Sequence, residues 1–325
     1  MIEINSLNAR IWSKLGQRGT MFAVAIFEAV QKHDNLMVLT ADLATLSGLD
    51  RFIDTYPDKF LNVGIAEQNM LGIAAGLANE GKKVFVTTYA TFISMRSCEQ
   101  NRHYLGYMGS DVKVVGSGAG LVMGMSGNTH HAMEDIAILR AIPNITVLSP
   151  ADSTEVVKAT IAAADYYGPV YLRLTGGINN PIVYKDNYDF QIGKAITLKK
   201  GSDISIIATG TMVYNSLKAA EILQQSGILA SVVDMHTIKP LDAAIIDLAC
   251  QNSKLIVTVE EHSIIGGLGG AVAEYKSNKK CAPPQLTLGI ADMFRKTGEY
   301  AYMLEQNGLM PEQLAKNIED CYKSL

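Results

Sequence analysis

The sequence predicts an α/β fold made of two doubly wound domains with mainly parallel sheets. Short apolar runs rich in Val, Ile and Leu alternate with helical patterns, and this alternation restarts after a turn-rich interruption past the middle of the chain. Strands that alternate with helices form parallel sheets covered by helices on both faces. The length of 325 residues also favours two hydrophobic cores over one.

The first half of the chain contains the candidate strands and helices of one domain. Apolar periodicity predicts where each kind of element lies. The candidate strands span residues 36–39, 84–88, 112–115, 145–148 and 170–172. The candidate helices span residues 20–32, 67–79, 91–104, 134–140 and 153–166.

A cluster of turn-forming residues, GGINNP at 176–181, indicates a domain boundary, and a polar stretch follows it. We therefore predict a first domain over residues 1–180 and a smaller α/β domain over residues 190–325. The candidate strands of the second domain span 204–208, 230–233, 255–259 and 286–288, and its candidate helices lie near 213–225, 241–250 and 268–275.

The composition excludes several classes of partner. The chain is 48% hydrophobic and 18% charged, as in ordinary globular proteins. Its 28 Lys and Arg are outnumbered by 32 Asp and Glu, so no basic field would attract nucleic acid. The N-terminal residues do not resemble a signal peptide, and no run reaches the roughly 20 apolar residues that span a bilayer. We expect a cytoplasmic protein with neither a nucleic-acid nor a membrane partner.

Neither the cysteines nor the glycine-rich stretches indicate a site of their own. The four cysteines have no CxxC or metal-ligand spacing, which predicts free thiols and no metal ligands on this chain. Glycine-rich stretches at 116–120 and 266–270 could bring backbone amides near a phosphate. Both lack the strand and helix context of a dinucleotide-binding fingerprint.

One segment indicates a functional site more specifically than the cysteines or the glycine-rich stretches do. NVGIAEQNM at 62–70 places Glu67 after a strand, at the start of a helix whose residues 71–77 are almost all apolar. Taken alone, Glu67 could be an ordinary first-turn carboxylate favoured by the helix dipole.

Several further motifs accompany this glutamate. They are THHAMEDIA at 129–137, LRAIPN at 139–144, LSPAD at 148–152, MHTIKP at 235–240 and EEHSIIGGLG at 260–269. With these motifs the chain resembles, from end to end, the C-terminal half of a transketolase of the kind encoded as a separate subunit.

The resemblance implies a thiamine diphosphate enzyme that transfers a two-carbon ketol unit from a ketose to an aldose. Glu67 would hydrogen-bond the cofactor's aminopyrimidine ring, which then serves as the base that activates the cofactor. Phe92 and Tyr89 would pack against that ring. His130 would contact the reacting oxygens of the donor, where an imidazole suits proton transfer near neutral pH.

The resemblance also implies how the sugar substrates are bound. Arg173 and Arg18 match or lie close to family arginines that reach the substrate phosphate, and guanidinium groups suit such an anion. Two positions depart from the family pattern: Gly118 replaces a histidine, and Ser126 replaces an aspartate that reads donor hydroxyls. We therefore expect an unusual donor that is branched, deoxygenated, or sulfonated instead of phosphorylated.

A partner subunit follows from what the sequence lacks. The family binds the diphosphate and its Mg²⁺ through a Gly-Asp-Gly motif and a downstream Asn, and this chain has no such segment. The resemblance therefore implies an N-terminal-half partner subunit that supplies the oxygen ligands of the metal, with a heterotetrameric α2β2 assembly.

Three alternatives remain open at this point. The β component of a 2-oxo acid dehydrogenase shares the domain pair and the glutamate, although LRAIPN and MHTIKP favour transketolase. A deoxyxylulose-phosphate-synthase-like enzyme is the second. The third, from a different class, is a non-catalytic scaffold subunit that keeps the fold without the chemistry.

Overall fold

The computed structural model describes residues 2–325 and confirms the predicted α/β fold class, with two sheets of mainly parallel strands. The strands of the first half are β1 (Leu36–Thr40), β2 (Phe60–Asn62), β3 (Lys83–Tyr89), β4 (Val112–Ser117), β5 (Thr146–Leu148) and β6 (Val170–Arg173). Its helices are α1 (Ser6–Thr20), α2 (Ile26–Lys32), α3 (Ala44–Ser47), α4 (Asp50–Thr55), α5 (Glu67–Asn79), α6 (Cys98–Gln100), α7 (Asp135–Ala141) and α8 (Ser153–Asp165).

The second half forms the other sheet and its covering helices. Its strands are β7 (Ile196–Lys199), β8 (Ile204–Ala208), β9 (Ala230–Asp234), β10 (Thr237–Lys239), β11 (Leu255–Ser263) and β12 (Gln285–Ile290). Its helices are α9 (Met212–Gln225), α10 (Ala243–Asn252), α11 (Leu268–Ser277), α12 (Tyr300–Gln306) and α13 (Pro311–Lys323).

The first sheet is shared between the two halves of the chain. Its strand order is β10-β5-β6-β4-β3-β1-β2. All neighbours from the first half are parallel, whereas β10 comes from the second half and lies antiparallel to β5. The second sheet has the order β12-β11-β8-β9-β7, in which only β7 is antiparallel to its neighbour. The MHTIKP segment, which contains β10, therefore joins the second half of the chain to the sheet of the first half.

Side chains of β1 show why the first sheet is covered on both faces. Leu36 and Val38 belong to a buried cluster with Phe22, whereas Leu39 lies in another cluster with Met70 of α5. Successive residues of a strand point to opposite faces of the sheet. A parallel strand with apolar residues on both faces needs a helical layer on each side, as this fold provides.

The region predicted as one helix over 91–104 is helical but irregular. π-Helical turns at Phe92–Arg96 and Asn101–Tyr107 flank the short α6. The hydroxyl of Ser94 donates a hydrogen bond to the carbonyl oxygen of Ala90 at 2.6 Å. Such turns occur often at functional sites, and the first one begins three residues after β3 ends.

The four cysteines are free thiols. Within residues 2–325, no helix is both long enough and apolar enough to cross a membrane. Over the same part of the chain, no three or more His, Cys, Asp or Glu side chains come together as a metal site.

Candidate active site

The candidate site lies at the carboxyl ends of the parallel strands in the first sheet. Tyr89 is the last residue of β3, Gly118 follows β4, and Glu67 opens α5 shortly after β2. Ligands of open α/β sheets bind in the crevice at this edge because the connecting loops and helix N-termini converge there. The fold therefore gathers residues that are far apart in sequence.

Glu67 is a nearly buried carboxylate with one charged partner. Its side chain is 3% exposed, and its Oε1 lies 2.7 Å from Nη1 of Arg96, whose side chain is 46% exposed. The position in the first turn of α5 adds the favourable field of the helix dipole. The sequence identified Glu67 but missed Arg96, because a contact across 29 residues leaves no local pattern.

Three rings form a continuous aromatic surface beside this ion pair. Tyr89 and Phe92 meet edge to face at 5.8 Å between ring centroids. The His130 ring lies 5.7 Å from Tyr89 and 5.3 Å from Phe92, again edge to face. The structure thus brings together all three rings that the sequence proposed for this site.

The Arg96 guanidinium links the carboxylate to these rings. Its Cζ lies 4.2 Å from the centroid of the Phe92 ring, while its Nη1 holds Glu67. A cation over an aromatic face is attracted by the negative charge of the π-system. Glu67, Arg96, Phe92 and His130 therefore form one chain of contacts.

His130 is half-buried and keeps one nitrogen free for a ligand. Its Nδ1 lies 3.0 Å from Oγ1 of Thr129, and no hydrogen bond to Nε2 exists within residues 2–325. The neighbouring His131 is buried, and this burial lowers the pKa of its imidazole. Only His130 of the two is oriented toward the aromatic surface.

Gly118 and Met123 shape the wall beside Tyr89. Gly118 has φ +66°, and a Cβ added there would lie 2.9 Å from Met123 Cγ and 3.7 Å from Tyr89 Cδ1. A side chain at position 118 would thus project toward Tyr89, into space that the Met123 thioether fills. Ser126 is exposed on the 3-10 turn Gly124–Ser126, and its hydroxyl has no hydrogen-bond partner within the described chain.

Arg18 is half-buried near the end of α1. Its guanidinium forms no hydrogen bond or ion pair within residues 2–325. A cation with no partner of its own remains available to an anionic ligand.

Arg173, by contrast, is buried and has hydrogen-bond partners of its own. Its side chain is 1% exposed, and its Nε donates a hydrogen bond to Oδ2 of Asp135 at 2.8 Å. Its Nη2 donates to the carbonyl oxygens of Ala132 at 3.1 Å and Glu261 at 2.9 Å. With these partners the guanidinium ties β6 to β11 of the second half. The contact between Arg173 and the substrate stays a prediction.

The second half also braces the loop that carries His130. The Glu261 carboxylate accepts hydrogen bonds from the Leu121 amide at 2.6 Å, the Tyr300 hydroxyl at 2.6 Å and the Thr211 hydroxyl at 2.8 Å. Burial raises the pKa of Glu261. Gly120 has φ +71°, and a Cβ there would lie 2.3 Å from Glu261 Oε1, so only glycine fits.

The gathered residues fit the aminopyrimidine ring of thiamine diphosphate. Glu67 offers a buried carboxylate to a ring nitrogen, and Phe92 and Tyr89 offer aromatic faces beside it. A planar ring with N–H donors matches this combination better than a flexible or purely apolar ligand does.

Comparisons with known proteins identify the family. Residues 18–178 match the transketolase pyrimidine binding domain, and residues 193–314 match the transketolase C-terminal domain. A protein of Methanocaldococcus jannaschii described as a transketolase C-terminal section is 42% identical over 299 residues, 91% of this chain and 93% of that relative. The chain belongs to the transketolase family.

Other members of the transketolase family are similar over nearly their whole length. A 6-deoxy-6-sulfo-D-fructose transketolase subunit of a Clostridium species is 39% identical, covering 90% of each protein. One of the apulose-4-phosphate transketolase subunits of Phocaeicola vulgatus is 38% identical, covering 93% of this chain and 96% of that protein.

A solved structure and a longer relative complete the comparison. A solved structure described as a split gene transketolase, inactive beta4 tetramer, matches with a TM-score of 0.85 and 36% identity, over 95% of this chain and 98% of that one. A 1-deoxy-D-xylulose-5-phosphate synthase of a Synechococcus species is 36% identical, but this chain spans only 46% of its length.

Proposed function

We propose that this chain is the C-terminal subunit of a split, thiamine diphosphate-dependent transketolase. It transfers a two-carbon ketol unit from a ketose donor to an aldose acceptor in the cytoplasm. The observation that carries the proposal is the nearly buried carboxylate of Glu67 beside the aromatic surface of Tyr89, Phe92 and His130. Membership of the transketolase family supports the interpretation of this arrangement as a cofactor site.

Each residue has a defined task in the proposed reaction. Thiamine diphosphate, when bound, supplies the nucleophilic carbon that cleaves the donor's carbon–carbon bond. Glu67 holds a proton at the distal nitrogen of the aminopyrimidine ring, and Phe92 and Tyr89 orient the ring. His130 moves a proton to or from the donor oxygens through its free Nε2, since Thr129 occupies Nδ1.

The proposed site is completed by a partner subunit. An N-terminal-half chain would hold the diphosphate and its Mg²⁺, and an α2β2 heterotetramer would place the active site between subunits. Two relatives are themselves described as transketolase subunits, and a similar split-gene chain is inactive as a beta4 tetramer. These names support a division of the enzyme between two chains.

The donor in this proposal is not xylulose 5-phosphate but a ketose that is sulfonated, branched or deoxygenated. Gly118 and Met123 place an apolar wall where a longer polar side chain at 118 would project, and Ser126 offers an uncharged hydroxyl. Arg18, with no partner of its own, would bind the phosphate or sulfonate end of the substrate. Two relatives are named for 6-deoxy-6-sulfo-D-fructose and for apulose 4-phosphate, which supports a donor other than xylulose 5-phosphate.

A donor panel tests the proposal. The chain is copurified with its partner subunit, loaded with thiamine diphosphate and Mg²⁺, and given xylulose 5-phosphate, 6-deoxy-6-sulfo-D-fructose or apulose 4-phosphate with an aldose acceptor. We expect kcat/KM for one of the latter two to exceed that for xylulose 5-phosphate by at least about tenfold, because a mismatched polar contact in a buried site discriminates strongly. Equal or better turnover of xylulose 5-phosphate contradicts the donor assignment.

The longer relative supports a second candidate, a deoxyxylulose-phosphate-synthase-like activity. The same complex, given pyruvate and glyceraldehyde 3-phosphate, distinguishes the two. Release of CO₂ from pyruvate would favour the synthase or a 2-oxo acid dehydrogenase component over a transketolase. Inactivity with every donor, despite a bound cofactor, would favour the scaffold alternative.

A further inference from the structure

The side chain of Arg96 makes two contacts at the heart of the proposed cofactor site. Its Nη1 lies 2.7 Å from Oε1 of Glu67, and its Cζ lies 4.2 Å above the Phe92 ring. A planar group with N–H donors thus holds the buried carboxylate and covers the aromatic face at once.

These are the two contacts that the proposed function gives to the aminopyrimidine ring of the cofactor. The ring and the guanidinium are both planar, both donate N–H groups, and both suit an aromatic face. The two groups would compete for one carboxylate oxygen and one ring face.

We propose that Arg96 is a positioning residue that occupies the ring's place in the cofactor-free chain and is displaced when the cofactor binds. This inference rests on the proposed function. The guanidinium keeps Glu67 paired and oriented until the ring takes over the same oxygen, so the carboxylate is never buried without a partner.

The surroundings of Arg96 allow such a movement. Its side chain is 46% exposed, so solvent can receive the guanidinium when it leaves. Its backbone is held, because Nε2 of Gln68 donates a hydrogen bond to the Arg96 carbonyl oxygen at 3.0 Å. It is also the last residue of the π-helical turn Phe92–Arg96, so side-chain rotation alone can clear the site without unfolding that turn.

Arg96 also stabilises the buried charge of Glu67 before the cofactor binds. Glu67 is only 3% exposed, and removing one partner of such a pair leaves a poorly solvated charge. An arginine is always charged and holds the carboxylate at any physiological pH.

The displacement predicts opposite effects on the two states of the protein. In Arg96→Met the cofactor-free complex should be less stable, while thiamine diphosphate should bind about tenfold more tightly because no ion pair has to be broken. The matched control is Arg102→Met, an exposed arginine on the second π-helical turn with no ion pair in the described chain. Arg102→Met should change neither the stability of the cofactor-free complex nor its affinity for thiamine diphosphate.

A double-mutant cycle in the two-subunit complex provides the test. The unfolding midpoints of the wild type, Arg96→Met, Glu67→Gln and the double variant are measured with and without saturating thiamine diphosphate and Mg²⁺. Cofactor affinity is measured separately by calorimetry. The cycle reports whether residues 67 and 96 interact in each state, and it does not depend on catalytic activity.

We expect coupling between residues 67 and 96 without the cofactor and none with it. If the wild type binds the cofactor and the coupling persists, Arg96 is a permanent partner of Glu67 and the inference is refuted, although the proposed function stands. Absence of coupling in the cofactor-free complex refutes it as well. If the wild-type complex does not bind the cofactor, the proposed function fails and the inference falls with it.

Discussion

Three carboxyl groups, those of Asp152, Glu155 and Asp234, are buried together where the first half of the chain meets the second. Tyr184 donates a hydrogen bond to Oδ2 of Asp234 at 2.7 Å, and its ring stacks on Tyr188 at 3.9 Å between centroids. None of the three carboxylates forms an ion pair within residues 2–325. The substitution Asp234→Asn should therefore make the stability of the protein less sensitive to pH.

The direction of the effect follows from the pKa values. Burial raises the pKa of Asp234 from 3.8 to about 7 and that of Asp152 from 3.8 to about 6. Burial, and then the charge of Asp234, also raise the pKa of Glu155. The folded chain thus holds protons that the unfolded chain releases, so this stabilising contribution is complete below pH 4 and is lost as the pH rises through 7.

The magnitude comes from the shift of Asp234. One pKa unit corresponds to about 1.4 kcal/mol, so the rise from 3.8 to about 7 corresponds to a loss of about 4 kcal/mol between pH 4 and pH 8. Asparagine resembles the protonated acid in shape and charge, and its oxygen can still accept the Tyr184 hydrogen bond. Asp234→Asn should therefore exceed the wild type in free energy of unfolding by about 2–4 kcal/mol at pH 8 and by little at pH 4.

Urea unfolding at pH 4, 6 and 8 measures this difference. The control is Asp247→Asn on the surface of α10, where hydrogen bonds from Lys279 and Tyr275 lower the pKa of the carboxyl group. This control should show no gain at pH 8. A wild type and an Asp234→Asn variant with parallel pH profiles would refute the reasoning, since Asp234 would then be ionised in the folded protein without cost.

Three further predictions concern the candidate site and the buried ion pair of Asp135 and Arg173. Phe92→Leu should weaken thiamine diphosphate binding to the complex about tenfold, because an aromatic contact worth about 1 kcal/mol and some buried area are lost; calorimetry that shows unchanged affinity would exclude Phe92 as a ring contact. Asp135→Ala should lower the free energy of unfolding by about 3–5 kcal/mol, because the buried guanidinium of Arg173 then lacks its carboxylate partner. A decrease below about 1 kcal/mol in urea unfolding would contradict a strong ion pair. Arg18→Ala should raise KM at least about tenfold for a phosphorylated or sulfonated donor but not for the matching uncharged ketose, and equal effects on both donors in steady-state assays would place Arg18 outside the anion site.

Much of the fold could be predicted because its central strands are apolar on both faces. All of Val112–Ser117 is buried, and runs of this kind stand out from the amphipathic helices between them. The short strand at Thr237–Lys239 was not predicted, and the one at Phe60–Asn62 was expected before Glu67 but without bounds. A strand of three residues has too few side chains to show a period, and β10 owes its strand form to pairing with β5 across the domain boundary.

The residues of the candidate site likewise divide into those that the sequence indicated and those that it did not. Glu67, Tyr89, Phe92 and His130 could be assigned to one site because they lie in or beside motifs that resemble those of the transketolase family. The burial of Arg173 could not be predicted, because it depends on contacts with Glu261 of β11, about 90 residues further along the chain. Arg96 was missed for the related reason that its significance lies in a tertiary contact.

Hydrogen–deuterium exchange at the thiazolium carbon of thiamine diphosphate tests the central claim most directly. The chain is copurified with its partner subunit and loaded with cofactor and Mg²⁺, and exchange is followed by NMR of acid-quenched samples without any sugar substrate. We expect fast exchange in the wild-type complex and a collapse of the rate in Glu67→Gln, because an amide cannot hold the proton at the aminopyrimidine nitrogen. Slow exchange in the wild type, or a rate that Glu67→Gln leaves unchanged, would contradict the assignment of Glu67 and of the whole site.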